Sequence, residues 1–195
     1  MKKLVKRIAT MVLALSMVMV PVTSTEAAAK KKSTPMWKQE DIAYDFTAKW
    51  LPKSCPSYLL SYATYEIMDI NKDRNVDLIW AYPAGQYTAL KVFTYRRGKG
   101  MVRSTKPIYG LYGYKVDKAR KSIVAFGGQN NFDYSTGFGY HLSFYYVYKF
   151  KGTQLKRTER WQMKEYNGGR NRYYKNGKRV SEARYKAAER RYDSL

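Results

Sequence analysis

The stretch FGYHLSFYYVYKF, residues 138–150, decides the fold class of this chain. Bulky aromatic residues occupy every second position in its second half, and a different set fills the positions between them. The first set is Phe144, Tyr146, Tyr148 and Phe150, and the second is Tyr145, Val147 and Lys149. Successive side chains of a strand point to opposite faces, so the alternation predicts a β-strand with one face toward the core.

Similar short segments, rich in tyrosine and β-branched residues, occur on both sides of this stretch. They predict strands at residues 62–68, 76–82, 89–95, 112–116, 123–126, 138–150 and 156–166. Turn-forming residues separate several of them, at 97–100, 117–120 and 151–152. Short turns between alternating segments favour antiparallel hairpins.

Two helices are predicted at the ends of the strand-rich region. The apolar residues of the first helix recur at steps of four or five: Trp37, Ile42, Phe46 and Trp50. This spacing predicts a helix over residues 37–51, which Pro52 should end. Near the C-terminus, Asn176-Gly177 marks a hairpin turn, and Ser181 is a good N-cap for a helix running to about Arg191. We therefore expect a β-rich α+β fold with antiparallel sheets or hairpins, an N-terminal helix and a short C-terminal helix.

Residues 1–29 have the composition of a secretory signal peptide. Four cations in residues 2–7 precede an uncharged apolar stretch at 8–22, and Ala27-Ala28-Ala29 supplies the small residues of a cleavage site. The alternative is a retained membrane anchor, but the apolar stretch is shorter than the ~20 residues that a spanning helix requires. We expect a secreted, extracellular protein with no transmembrane segment after processing, either soluble or associated with the cell wall.

Cleavage would leave a strongly basic chain. It would carry 33 Lys and Arg against 14 Asp and Glu, a net charge of +19. Residues 30–36 form a Lys-rich leader that we expect to be disordered, and residues 37–195 are expected to form one monomeric domain. Cys55 is the single cysteine and cannot form an internal disulfide. The charge predicts attraction to anionic cell-wall polymer or a membrane surface, although solubility alone is the alternative explanation.

One segment carries the oxygen-bearing side chains that a hard cation requires. Alternate positions of the loop 69–77 hold Asp or Asn: Asp69, Asn71, Asp73, Asn75 and Asp77. Calcium favours such all-oxygen sets, so these five residues are candidate calcium ligands, Asn75 through its backbone carbonyl. Arg74 stands where an EF-hand has glycine, and Trp80 stands where it has a bidentate glutamate. The alternative is an acidic turn in which these side chains accept hydrogen bonds from backbone amides without metal.

The loop and the C-terminal segment together resemble a family of secreted or lipid-anchored Gram-positive proteins. Members carry a degenerate loop that reads tyrosine, apolar, then Asp-x-Asp/Asn-x-Asp-Gly-x-x-Glu/Asp-Leu-Ile, and residues 65–79 match it apart from Arg74 in place of the glycine. They close with Tyr-x-Asn-Gly-Lys-x-Val-Ser-x-x-x-Tyr, matched by residues 174–185. The resemblance implies export and a β-rich fold over the whole mature chain. It carries over no catalytic residues.

Residues that could support catalysis are few. The single histidine, His141, lies in an aromatic stretch, and Cys55 lies among prolines without a recognisable nucleophile signature. Both residues fit a structural role. A small secreted enzyme or enzyme inhibitor is the alternative function, with a pocket that forms only in the folded chain. A compact pocket holding His141 and two carboxylates would favour this alternative.

Tyrosine is the unusual residue type, with 20 copies, many of them next to Lys or Arg. Such pairs suit stacking and polyanion contact, although a basic β-sheet also produces them. We expect a non-enzymatic exported binding protein whose basic, tyrosine-rich surface contacts an anionic cell-wall or surface polymer. The loop 69–77 would then be a structural element able to hold calcium. Nucleic acid is a poor fit, because export and the lack of a nucleic-acid motif argue against it.

Overall fold

Two antiparallel sheets, each covered by a helix, make up the part of the chain that the structure describes. The computed structural model describes residues 33–55, 57–134, 137–167 and 169–195. The predicted signal peptide and residues 30–32 of the predicted leader lie outside these ranges. Thr34–Leu195 makes one compact unit. Among the described residues, no helix has both the length and the apolar character needed to cross a bilayer.

The first sheet contains five strands arranged around β3. Its strands are β1 Thr64–Met68, β2 Asp77–Ala84, β3 Tyr87–Arg96, β4 Gly100–Arg103 and β5 Ile108–Leu111. β3 pairs with β2 along one edge and with β4 and β5 along the other, and β1 pairs with β2. The loop 69–77 therefore joins two neighbouring antiparallel strands.

The second sheet contains six strands that neighbour one another in chain order. They are β6 Gly113–Asp117, β7 Ser122–Asp133, β8 Phe138–Lys151, β9 Gln154–Tyr166, β10 Arg172–Lys175 and β11 Lys178–Val180. β8 contains the stretch that decides the fold class, and it pairs with β7 and β9 along nearly its whole length. The strand predicted at 138–150 is confirmed.

The main core lies between the two sheets. Ile79 and Leu90 of the first sheet share one buried cluster with Ile123 and Phe144 of the second. Tyr148 is buried there too, while Tyr146 and Phe150 pack against the cluster. One alternating face of β8 thus meets the core, as the sequence pattern predicts.

A helix packs on the outer face of each sheet. Helix α1, Met36–Ser54, places Phe46 against Trp80, with ring centroids 5.5 Å apart. Helix α2, Glu182–Asp193, inserts the fully buried Tyr185 beside Tyr173, with ring centroids 5.2 Å apart. The layers therefore run helix, sheet, sheet, helix.

The predicted fold class is confirmed in its β-rich character, its antiparallel sheets and its two terminal helices. Ser181 caps α2 by accepting a hydrogen bond from the Arg184 amide at 3.4 Å. Asn176 and Gly177 both have positive φ, 50° and 83°, which suits the hairpin between β10 and β11.

Two details of the element prediction differ from the structure. The prediction that Pro52 ends the first helix is wrong, because α1 continues to Ser54. Pro52 lies in the last turn, where its missing amide removes one hydrogen bond, to the carbonyl four residues earlier, and only two helical residues follow it. The strands β4 and β5 and the short helical turn Ser57–Tyr62 were not predicted.

Candidate functional site

The loop 69–77 is closed by its own side chains. The Asp69 carboxylate accepts hydrogen bonds from the amides of Asp73 at 3.1 Å and Arg74 at 2.9 Å. Asn71 Oδ1 accepts from the Asp73 amide at 3.1 Å, and Asp73 Oδ1 accepts from the Asn75 amide at 2.8 Å. These contacts fit an acidic turn that caps its own backbone.

Arg74 has the backbone conformation that glycine supplies in calcium loops. Its φ is 67°, in the left-handed region, and Lys72 has φ 59°. A side chain with a Cβ adopts this region at a cost of roughly 1–2 kcal/mol. The sharp turn thus forms despite the arginine, so the departure from the EF-hand pattern adds strain without changing the turn.

A buried glutamine of α1 holds the end of the loop. Gln39 is 2% exposed; its Oε1 accepts from the Val76 amide at 2.9 Å, and its Nε2 donates to the Arg74 carbonyl at 3.1 Å. The sequence analysis missed this residue. The sequence feature that indicates its burial is the four-residue spacing of Gln39, Ala43 and Thr47, which are all buried on one side of the helix.

Asp77, at the start of β2, is fully buried. Its Oδ2 accepts from the Ile70 amide at 3.0 Å, while Oδ1 has no hydrogen-bond partner among the described residues. Burial raises the pKa of Asp77 to about 7, although the Thr94 side chain and the Ile70 amide lower it. The charges of Asp73 and Asp69 raise this pKa further.

The structure brings the predicted calcium ligands together only in part. Asp69, Asn71 and Asp73 share hydrogen bonds, and Asp77 reaches the start of the loop through Ile70. Within the described ranges, no three His, Cys, Asp or Glu side chains are arranged so that they could hold a metal ion. The assignment of Asp69, Asn71, Asp73, Asn75 and Asp77 as calcium ligands stays a prediction.

A second group of residues lies on the face of β8–β11 that points away from α2. Besides the buried Tyr148, the strand register places on it five cations and four tyrosines. We call this group the cationic face: Arg157, Arg160, Lys164, Arg172 and Arg179 with Tyr140, Tyr146, Tyr166 and Tyr174. The first sheet covers the rest of this face on β6–β8 through the main core, and Tyr140 and Tyr146 pack against the edge of that core.

Cations and tyrosine rings of the cationic face are stacked on one another. Lys164 Nζ lies 4.5 Å from the Tyr140 ring centroid and 5.9 Å from that of Tyr174. Arg172 Cζ lies 4.8 Å from the centroid of Tyr166. Each such contact is worth about 0.5–1 kcal/mol at an exposed site. The rings hold the cations in place without neutralising their charge.

None of these cations forms an ion pair with a carboxylate of the described residues. In the described part of the chain, the ion pairs use Asp117, Glu159 and Glu189, and none includes a cation of the cationic face. Glu159 and Glu165 are the Cα partners of Val147 and His141, which belong to the opposite face of the sheet. The cations of the cationic face therefore lack an ion-pair partner among the described residues.

A β-bulge in β9 shapes one end of the cationic face. Val147 is the Cα partner of Glu159, and Tyr148 is the partner of Arg157, which leaves Thr158 as the extra residue. Next to the bulge lies a surface pocket of about 300 Å³, lined by Arg157, Thr158, Glu159, Arg160 and Asn176. We call it the β9 pocket. Sequence alone could not find it, because it depends on the register between β8 and β9.

The residues considered for catalysis lie apart from the β9 pocket. His141 Nδ1 is 2.9 Å from Asn130 Oδ1, on the neighbouring strand β7. Cys55 is buried with Tyr82 and Ala89 beside the first sheet. Neither residue lines the β9 pocket.

The family resemblance depends on the loop and on the closing segment 174–185. The structure places the loop between β1 and β2, and it places the closing segment on the β10–β11 hairpin and the start of α2. No protein-family model, curated protein or solved structure matches this chain, so the resemblance stays a prediction.

Proposed function

We propose that this chain is an exported, non-enzymatic binding protein whose cationic face binds an anionic cell-wall or surface polymer. One observation carries the proposal: five cations share one sheet face with four tyrosines, and no carboxylate of the described chain pairs with them. A polyanion supplies the negative charge that this face lacks. Its binding releases counterions from both surfaces, which favours association at low salt.

The tyrosine rings support this proposal because they place the cations before a ligand arrives. A long Lys or Arg side chain loses rotamer freedom when it binds, and that loss weakens the complex. The rings beneath Lys164 and Arg172 already restrict those two side chains. Stacking on the rings leaves the N–H groups available to an anion.

Binding of the purified protein to soluble polyanions tests the proposal. Poly-L-glutamate and a polyol-phosphate polymer are the probes, and uncharged dextran is the reference. We expect both polyanions to bind, with affinity falling by roughly tenfold or more between 50 and 200 mM salt. An affinity that does not change with salt would contradict the proposal.

A matched pair of variants separates the cationic face from total charge. Lys164→Gln with Arg172→Gln removes two charges from the face, while Lys38→Gln with Lys106→Gln removes two exposed charges elsewhere. We expect the first pair to lower polymer affinity by roughly tenfold and the second to change it little, because charge-assisted contacts act at short range. Equal losses would show that net charge, rather than this face, drives binding.

Calcium binding by the loop 69–77 is a second candidate function, favoured by Asp77. Its Oδ1 is buried and has no hydrogen-bond partner among the described residues, a situation that normally costs about 1–3 kcal/mol. A cation held by Asp69, Asn71, Asp73, the Asn75 carbonyl and Asp77 would supply the missing partner. Waters would complete the coordination.

Thermal unfolding in calcium and in chelator tests this candidate, with Asp73→Ala as the matched variant. A ligand that binds only the folded chain must stabilise it. We expect calcium to raise the melting temperature of the wild-type protein and to leave that of the variant unchanged. An equal melting temperature in calcium and chelator would identify the loop as an acidic turn.

A further inference from the structure

The bulge in β9 brings two arginines to the same face of the sheet. Residues three positions apart in a regular strand lie on opposite faces. Because Thr158 is an extra residue, Arg157 shares the face of Tyr148 and Arg160 shares that of Tyr146, which is the same face. Bulges commonly redirect side chains beside functional sites.

Local hydrogen bonds fix the geometry of this region. Thr158 Oγ1 donates to the Val147 carbonyl at 3.2 Å, which ties the bulged residue to β8. The Arg160 amide donates to Asn176 Oδ1 at 2.7 Å, and the Asn176 amide donates back to the Arg160 carbonyl at 2.8 Å. Arg157 Cζ stacks over the Tyr146 ring at 4.8 Å. The walls of the β9 pocket are thus held by contacts that need no ligand.

The charge of the β9 pocket is positive although Glu159 lines it. The Glu159 carboxylate pairs with Lys175 at 3.2 Å and accepts a hydrogen bond from Trp161 Nε1 at 2.9 Å. That carboxylate is therefore already compensated from the opposite face of the sheet. In the described chain neither Arg157 nor Arg160 has a carboxylate partner.

We infer that the β9 pocket is a phosphate subsite, with Arg157 and Arg160 as its ligand-binding residues. A terminal phosphomonoester carries up to two negative charges on three oxygens at neutral pH, so it can balance both guanidinium charges and accept from both forks, whereas acetate carries one charge on two oxygens. A volume of about 300 Å³ also leaves room for the polyol that carries the phosphate. The inference deepens the proposed polymer binding and names phosphate as the group recognised.

Titration of the protein with small anions, followed by NMR of the backbone amides, tests the subsite directly. The probes are inorganic phosphate, glycerol phosphate and acetate. We expect saturable shifts at residues 157–160 and 176 with both phosphates, and none with acetate at the same ionic strength. No saturable shift with either phosphate, or equal shifts with acetate, would overturn the subsite.

Variants separate the subsite from the proposed function. Arg157→Gln with Arg160→Gln should weaken phosphate binding by roughly tenfold or more, and Arg157→Lys with Arg160→Lys should also weaken it, because lysine keeps the charge but lacks the fork. Lys38→Gln with Lys106→Gln is the control. Unchanged phosphate affinity in both arginine variants would contradict the assignment of these residues.

The two proposals fail in different ways. Phosphate shifts without any polymer binding would retain the subsite and reject the cationic face as a polymer site. Polymer binding that Arg157→Gln with Arg160→Gln does not weaken, together with absent phosphate shifts, would retain the face and reject the subsite. The circular dichroism spectrum of each variant establishes that a loss of binding is not a loss of folding.

Discussion

Arg74 and Lys72 both have a positive φ in the loop 69–77, and Arg74 is the one at the EF-hand glycine position. Its φ of 67° is unfavourable for a side chain with a Cβ, and the EF-hand pattern has glycine at this position. We expect Arg74→Gly to raise the free energy of unfolding by about 1 kcal/mol, the relief of strain exceeding the added freedom of the unfolded chain. Urea denaturation measures the change. Arg74→Ala keeps the Cβ and should give no gain, so equal stability of the two variants would contradict this explanation.

Asp77 couples the stability of the loop to pH. Its pKa of about 7 in the folded chain exceeds the ordinary value of 3.8, mainly because of burial. The folded state therefore holds the proton more tightly than the unfolded state between these two pH values. The contribution of Asp77 to the free energy of unfolding should therefore fall as the pH rises from about 4 to about 7, by a few kcal/mol at most.

Urea denaturation across this pH range, in chelator, measures the contribution of Asp77. Asp77→Asn keeps the shape of the side chain and cannot ionise, so the variant should lose that part of the pH dependence. If the free energy of unfolding changed equally with pH in the wild-type protein and in the variant, the raised pKa of Asp77 would be contradicted.

At the scale of elements, Gln39 links α1 to the loop. Its side chain is the hydrogen-bond partner of the Val76 amide and the Arg74 carbonyl. We expect Gln39→Ala to lower the free energy of unfolding by about 1–3 kcal/mol, because it leaves buried backbone groups without partners. Lys38→Ala, at the exposed neighbouring position, is the control for helix propensity, and both changes are read by urea denaturation. Equal effects of the two would show that the contact adds nothing.

Elements whose pattern is local could be predicted, as β8 and α2 illustrate. The alternation from Phe144 to Phe150 and the cap at Ser181 each lie within a few consecutive residues. The strands β4 and β5 were missed because they have four residues each and are strands only through pairing with β3. Four residues are too few for an alternation of apolar and polar side chains to predict a strand.

The candidate sites also differ in how local their sequence pattern is. The loop 69–77 could be found because its donors alternate along nine residues. The β9 pocket is lined by Arg157, Arg160 and Asn176, which strand pairing and a β-bulge bring together. The amino-acid composition predicts neither the pairing nor the bulge. Sequence analysis predicted a basic, tyrosine-rich surface without placing it. The strand register assigns this surface to one face of the second sheet. Tyr140 pairs with Tyr166 and Leu142 pairs with Lys164, and residues two positions apart in a strand share a face.

At the scale of the whole molecule, the two candidate sites belong to different sheets. The loop joins β1 to β2 of the first sheet, whereas the cationic face lies on β8–β11 of the second. Gln39, whose side chain is hydrogen-bonded to the loop, is not part of the cationic face. Effects at sites without shared partners add to within about 0.5 kcal/mol. Changes in one site should therefore leave the other unaffected.

This separation predicts the outcome of combining variants from the two sites. Arg74→Gly should raise the free energy of unfolding equally in the wild-type chain and in the chain carrying Arg157→Gln and Arg160→Gln. Polymer affinity should depend only on the arginine changes, because Arg74 lies outside the cationic face. Urea denaturation and polymer titration of all four chains measure both effects. A coupling energy well above about 0.5 kcal/mol in either measurement would mean that the loop and the cationic face act as one site.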